Sequence, residues 1–222
     1  MDFDFSPVWE GWRDLAHGTL VTVEVTAGAI VLGCLIGLLV GLARLEPKRR
    51  IPYTLGTTYV SIVRGTPLLV QLFIWFFGLP HFGLNLPAFV CGIVGMGMYS
   101  GAYVSEIVRG AIQSVDRGQM EAARSLGMPH GLAMRQIIVP QAMIRMIPPL
   151  GNEFIALIKN SSLVSLLTIA DLMHEGQKII SASYRSLEVY LAIALVYFVL
   201  TNLTGLALRS AERKLRVGGL VQ

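Results

Sequence analysis

Glu153 and Asn160 stand seven residues apart in PPLGNEFIALIKNSSLVSLLTIADLM, a stretch that starts at Pro148. Seven positions are two turns of an α-helix, so the two side chains share a face, with Ser162 close to it and Lys159 one step round. Polar groups in such apolar surroundings are costly unless they face protein or a water-filled cavity. A carboxylate there can accept from a cation, and a carboxamide can trade neutral hydrogen bonds: this is the chemistry of recognition. A second constellation lies in YTLGTTYVSIVRGTPLLVQLFIWFFGLP, which starts at Tyr53, where Arg64 precedes Gly65, Thr66 and Pro67, and Gln71 follows. Gly65 and Pro67 can break or kink a helix, freeing backbone groups that must then face a cavity or another partner. Thr66, Gln71, Ser100 and Asn160 can each supply neutral hydrogen bonds.

Each of these residues also has a plainer reading. Arg64 could sit in an ion pair or snorkel to an interface without touching a ligand, and Glu153 could be bridged to Lys159 or Arg145. Gly97 and Gly101, four apart in CGIVGMGMYSGAY, read first as a close-packing signature between helices, although Met98 and Tyr99 beside them could line a path. Glu106 and Arg109, three apart on one helix, read as a local ion pair.

The elements that must hold these groups are membrane helices. The chain has 222 residues, of which 54% are hydrophobic and only 14% charged, and its mean hydropathy is +0.62. A soluble domain would be nearer a quarter charged. The net charge of +4 is modest, and long apolar runs leave no room for the basic face that nucleic-acid binding needs. Cys34 and Cys91 both lie in apolar runs and read as packing residues, with no disulfide and no metal site implied. Uncharged runs from Val25 to Ala43, from near Pro87 to Val104 and from Val189 to Leu208 are each long enough to span a bilayer. The two stretches starting at Tyr53 and Pro148 are also long enough but carry charges, giving an expected five spans in one domain, 1–222. Residues 1–18, with Phe3, Phe5, Trp9 and Trp12, lack the basic start of a cleaved signal peptide and suit a retained amphipathic segment at the membrane–water boundary.

Lysine and arginine placement sets the expected orientation. RLEPKRR carries Arg44, Lys48, Arg49 and Arg50, LPHFGLNLP carries none, and the third loop again holds several arginines. The fourth loop, around HEGQKIISASYRSLE, is mixed, and the tail with Arg209, Arg213, Lys214 and Arg216 is basic. Five spans with the N-terminus outside and the C-terminus cytoplasmic satisfy every loop.

The third loop, 117–140, is more than a connector. Glu121 to Leu126 are helix-compatible residues, Gly127 is placed to end that helix in a left-handed cap, and Pro129 stops continuation before a second amphipathic segment, GLAMRQIIVP. Small Ala122 and Ala123 would let another protein approach closely, which makes a compact cytoplasmic knob. On physics alone an interfacial helix with its arginines on anionic headgroups is equally open.

EAARSLGMPHGLAMRQIIVP resembles the EAA loop of ABC importer membrane subunits: Glu121, Ala122, Ala123, three residues, Gly127, then Ile137, Val139 and Pro140, with valine where the family usually has leucine. Together with SIVRGTPLLVQLF, AYVSEIVRGAIQSVDRGQMEAARSLGM and PPLGNEFIALIKNSSLVS, the chain from roughly Gly18 to Leu208 is similar to the polar amino-acid permeases of that family. The resemblance implies an all-α, type I importer fold in the bacterial inner membrane. It implies that Glu121, Ala122, Ala123 and Gly127 dock into a cleft on a cytoplasmic ATPase. It also implies a substrate pocket formed by the second, third and fourth spans, and carries over to Arg64, Thr66, Met98, Ser100, Glu153 and Asn160. Gln71 and Ser162 join them as candidates on their position alone. The implied partners are ABC ATPase subunits, a second permease copy or a homologous one, an extracytoplasmic amino-acid-binding protein, and the bilayer.

No Gly-x-x-x-x-Gly-Lys-Ser/Thr phosphate loop occurs in the chain. No cofactor is expected in it, and ATP with magnesium belongs on the separate ATPase. Where the related permeases often read Lys-Asp-Thr-Ser, this chain has Lys159, Asn160, Ser161 and Ser162. Losing that carboxylate points away from doubly cationic cargo and towards glutamine or glutamate. A passive channel or ion-coupled carrier is the competing reading, cued by Arg64, Glu153 and Lys159. Against it stand the single five-span block without a visible inverted repeat and the structured loop.

Overall fold

The computed structural model describes residues 3–217, so Met1 and Asp2 of the N-terminal segment and the last five residues lie outside it. Among the described residues every regular element is helical. In chain order these are α1 (Ser6–Glu10), α2 (Trp12–Ala43), α3 (Arg50–Gly65), α4 (Leu68–Phe73), α5 (Ala88–Gln113), α6 (Arg117–Ser125), α7 (His130–Ala133), α8 (Val139–Asn160), α9 (Leu172–Ser183) and α10 (Ser186–Val217). Helices α2, α5 and α10 are each long and apolar enough to cross a membrane. Two bent pairs complete a set of up to five: 50–65 with 68–82, turned by 109°, and 130–167 with 172–183, turned by 54°.

The spans are longer than the uncharged runs that announce them. The first span starts at Trp12 rather than Val25 and takes in Asp14 and Glu24, so the expected boundary segment divides between the short α1 and the beginning of α2. Trp9 and Trp12 are exposed, as an interfacial position requires. Helix α8 begins at Val139, carrying Pro148 and Pro149 inside it instead of starting there. Proline lacks one backbone donor, and packed membrane helices tolerate that loss. The segment expected as a fourth loop is largely α9, begun by Asp171, whose carboxylate accepts from the His174 N–H at 3.0 Å.

Helices α2 and α5 form the spine and run parallel, because their contacts advance together along both. A Cβ on Gly33 would meet Ser100 Cβ at 3.0 Å, one on Gly37 Val104 Cγ1 at 2.4 Å, and one on Gly41 Val108 Cβ at 2.9 Å. From the other side Gly97 faces Leu32 and Gly101 faces Ile36, both at 2.8 Å. Small residues every fourth position let the two backbones close together, so that dispersion rather than water exclusion holds them. The Gly97/Gly101 reading as packing residues therefore holds, and Gly33, Gly37 and Gly41 are the matching half.

Candidate functional site

The second span breaks where its sequence interrupts the helix. Gly65 ends α3, Thr66 is extended at φ −125° and ψ 146°, and Pro67 leads into α4. The break frees carbonyls that must find partners in the protein or in a water-filled cavity. Gln71, itself buried, repairs them: its Nε2 lies 2.8 Å from Val63 O, 3.1 Å from Thr66 O and 2.9 Å from Thr66 Oγ1. Thr66 Oγ1 in turn donates to Ile62 O at 2.9 Å. Gln71 and the Thr66 hydroxyl are thus engaged in holding the bend, a task that the sequence reading of them as ligands did not foresee.

The bend leaves Arg64 at the end of α3 with its guanidinium 5.4 Å from the ring centre of Tyr103 on α5, a cation–π distance. Beside it opens a cavity of about 330 Å³ lined by Arg64, Tyr103, Glu106, Pro149, Asn152 and Glu153. The second, third and fourth spans each contribute to it. Glu153 makes no ion pair among the described residues. Arg145, one of its candidate partners, donates instead to the backbone and hydroxyl oxygens of Ser114. The Glu153 carboxyl faces the Ser100 hydroxyl, which is fully buried and has no hydrogen bond of good geometry among the described residues. The Tyr99 hydroxyl donates to Tyr103 at 3.2 Å, extending the polar wall.

Of the candidate ligands, the structure brings Arg64 and Glu153 into one cavity, with Ser100 against Glu153 and Thr66 two positions past Arg64. It does not bring in the others. Asn160 ends α8, two turns or roughly 10 Å along the axis from Glu153. Ser162 lies in the 3-10 segment that follows, its hydroxyl donating to Lys159 O at 2.9 Å. Met98 is half-buried, and its carbonyl accepts from the Tyr59 hydroxyl. A shared helical face is therefore not a shared cavity: Glu153 and Asn160 sit at different depths.

Four residues in or around the site escaped the sequence reading: Asn152, which lines the cavity one position before Glu153, and Tyr103, Glu106 and Arg44. Tyr103 was legible in principle, being one turn from Tyr99 on the cavity face of α5. Glu106 does pair with Arg109, at 2.7 Å, as expected, but it also holds Arg44 at 2.7 Å and has Arg64 at 3.9 Å. Arg44, expected as a loop charge, is 9% exposed at its side chain. Gly56 makes the room for its stem, since a Cβ there would meet Arg44 Cγ at 2.9 Å. Thr57 and Ser105 supply further acceptors at 3.3 Å and 3.4 Å. No local signal distinguishes such an arginine from its neighbours in RLEPKRR.

At the end of the bundle where α2 and α5 finish, 117–138 folds into a knob. The Asp116 carboxylate accepts from Gly118 N at 2.7 Å to start α6. Gly127 N donates to Arg124 O at 3.0 Å and Met128 N to Ala123 O at 3.1 Å, the two bonds of a Schellman ending. That ending needs a left-handed residue, and Gly127 supplies it at φ +84°. Glu121, Ala122, Gly127 and Leu126, the last 84% exposed, face outward. Ala123 does not. It is 5% exposed and turned inward, so only Ala122 of the expected pair offers an approach surface. Met120 and Met134 of the knob pack on Val104, Val108, Ile112 and Ile138. The knob's second half runs through a π-helical turn, Met134–Ile138, straight into α8, the helix that bears Glu153.

Residues 29–217 match the family model described as the binding-protein-dependent transport system inner membrane component. The chain is 40% identical over 212 residues to the probable glutamine ABC transporter permease protein GlnM of Bacillus subtilis (strain 168), covering 96% of this chain and 94% of that protein. It is 35% identical over 219 residues to the glutamine transport system permease protein GlnP of Escherichia coli (strain K12), covering 98% and 100%. Among solved structures, a crystal structure of an amino acid ABC transporter with histidines aligns with a TM-score of 0.89 at 42% identity, over 96% of this chain and 100% of that one.

Proposed function

The chain belongs to the inner membrane components of binding-protein-dependent transport systems, and on that footing we propose that it forms the pathway of an ATP-driven polar amino-acid importer with glutamine as its favoured cargo. It is a multi-pass inner membrane permease, and a passive channel or ion-coupled carrier is not favoured. The observation that carries the proposal is the continuity of α8. One continuous helical run, with a π-helical turn at Met134–Ile138 and Pro148 and Pro149 inside α8, joins the exposed knob at its base to Glu153 in the cavity. A push on the knob therefore reaches the wall of the cavity without passing through a loop.

In this reading the knob is cytoplasmic, the N-terminus is outside, and Glu121, Ala122, Leu126 and Gly127 seat in a separate ATPase. Ala123 supports that surface from beneath. ATP and magnesium are held by that partner, and this chain performs no covalent chemistry. A second permease, identical or homologous, completes the pathway, and an external binding protein delivers the cargo. Glu153 accepts from the amino acid's ammonium and Arg64 donates to its carboxylate. ATP-driven closure of the motors draws the knobs together and opens the pathway outward, and hydrolysis resets it.

The test is ATP hydrolysis by the complete complex in liposomes, with the binding protein loaded in turn with glutamine, glutamate, arginine and lysine. Stimulation by glutamine is the expected result. Stimulation by arginine or lysine alone would mean that Glu153 suffices as a side-chain counter-ion and that the cargo preference is wrong. Silence with every amino acid would remove the amino-acid assignment.

A further inference from the structure

Glu106 has one carboxylate and three arginines around it. Arg44 Nη1 takes Oε1 at 2.7 Å and Arg109 Nη2 takes Oε2 at 2.7 Å, so each oxygen is already engaged at charge-assisted hydrogen-bond length. Arg64 comes only to 3.9 Å of the same Oε1, beyond hydrogen-bond reach, and its side chain stays 47% exposed beside the cavity. The Arg44 contact is built in by its neighbours: Gly56 clears its stem, while Thr57 and Ser105 hold its guanidinium. Counting the cavity together with the groups bonded to Glu106, three guanidiniums stand against two carboxylates.

We propose that Arg44 is a specificity-determining positioning residue: by saturating Glu106 it keeps Arg64 available as a cation for the cargo's carboxylate, and so tunes the cavity to amino acids with uncharged side chains. The inference rests on the reading of this cavity as the cargo site. Among the described residues lining the cavity, one cation held only loosely, Arg64 at 3.9 Å from Glu106, and one anion without an ion pair, Glu153, match the two ends of a zwitterion and leave no further carboxylate for a cationic side chain. Without the Arg44 charge, Glu106 Oε1 is released and Arg64 closes onto it. The cavity then loses its carboxylate receptor and becomes more anionic. Without the Glu106 charge the opposite happens, and the surplus of guanidinium favours an acidic side chain. The two variants must therefore move selectivity in opposite directions, which lost packing alone does not do.

The measurement is equilibrium binding of radiolabelled glutamine, lysine and glutamate to the purified permease–ATPase complex without the binding protein, whose own selectivity would mask the effect. Arg44→Met should raise lysine binding relative to glutamine by roughly tenfold, the effect of one unit charge acting over ~10 Å at an effective dielectric constant of about 20. Glu106→Gln should raise glutamate relative to glutamine by a similar factor, and Arg44→Lys should keep the parent ratios. Unchanged ratios, or shifts of the same sign in Arg44→Met and Glu106→Gln, would overturn the proposal while leaving the cargo site standing. A parent complex that retains its ATPase yet binds none of the three amino acids would instead overturn the cargo site, and the inference with it. Co-purification with the ATPase checks folding. Where Arg44→Met does not assemble, Arg44→Gln takes its place beside the nearly isosteric Glu106→Gln, and the same opposite shifts are required.

Discussion

Gln71 Nε2 lies 2.8 Å from the carbonyl oxygen of Val63, so a side chain on α4 closes a hydrogen bond back onto the last turn of α3 across the break at Gly65–Pro67. The bend of 109° is therefore fastened from both sides, and it is this bend that sets Arg64 over Tyr103 at the cavity.

Gln71→Leu keeps the volume but removes the donor, leaving Val63 O and Thr66 O without that partner. The expected cost is about 1–3 kcal/mol, the range for buried polar groups left unsatisfied. Thermal unfolding of the complex in detergent should show a fall of several degrees, with weaker uptake because Arg64 is displaced. An unchanged transition temperature would mean that water or lipid satisfies those carbonyls as well.

Gly37→Val should disrupt the α2–α5 spine, since its Cβ would fall 2.4 Å from Val104 Cγ1 and 2.5 Å from Val104 Cβ. Overpacking of this kind costs about 1–3 kcal/mol. Gly110→Ala is the control: a Cβ there meets nothing within 4 Å, and alanine is worth roughly 0.5–1 kcal/mol over glycine in a helix. Thermal unfolding should rank Gly37→Val below the parent and Gly110→Ala at or slightly above it.

Gly127→Asp should insert and fold, yet separate ATP hydrolysis from transport by at least tenfold. Open space surrounds the Cβ position, so the burden falls on the left-handed φ of +84° and on the charge presented to the ATPase. Gly127→Asn separates the two effects, because asparagine tolerates the left-handed region and is uncharged. Uptake should recover substantially in Gly127→Asn. Normal uptake in Gly127→Asp would remove this residue from the coupling surface.

Glu153→Gln should leave the ATPase association intact while lowering uptake by about tenfold or more, because the carboxylate that faces Ser100 and the cavity is lost without a change of shape. Uptake into liposomes and co-purification of the ATPase measure the two properties independently. Full uptake would take Glu153 out of the site.

Much of this architecture was legible in the chain. Hydropathy marked the spans, Gly65 and Pro67 marked the break, and Gly127 with Pro129 marked the end of the first knob helix. Each is a local property: a bilayer imposes length, proline removes a donor, and a left-handed cap requires glycine. Span ends were less legible, because α2 and α10 continue past the apolar run through residues whose polarity says nothing about whether the helix goes on.

The site was legible in only one dimension. Periodicity placed Glu153 and Asn160 on one face, yet the cavity takes Glu153 alone, because depth depends on where neighbouring helices cross and on where α8 tightens into its 3-10 end. The inward turn of Ala123 was decided by what α6 packs against. Arg44 and Glu106 are 62 residues apart in sequence and 2.7 Å apart in space. Their meeting depends on the parallel packing of α2 on α5, and on the absence of a side chain at Gly56. The sequence by itself thus determined that this chain spans a membrane, bends in its second crossing and carries a structured knob, since those features follow from hydrophobicity and backbone chemistry residue by residue. Which charges neutralise one another, and which are left facing the cavity, was decided only when the helices packed, because Coulomb energy depends on distances that no sequence spacing contains.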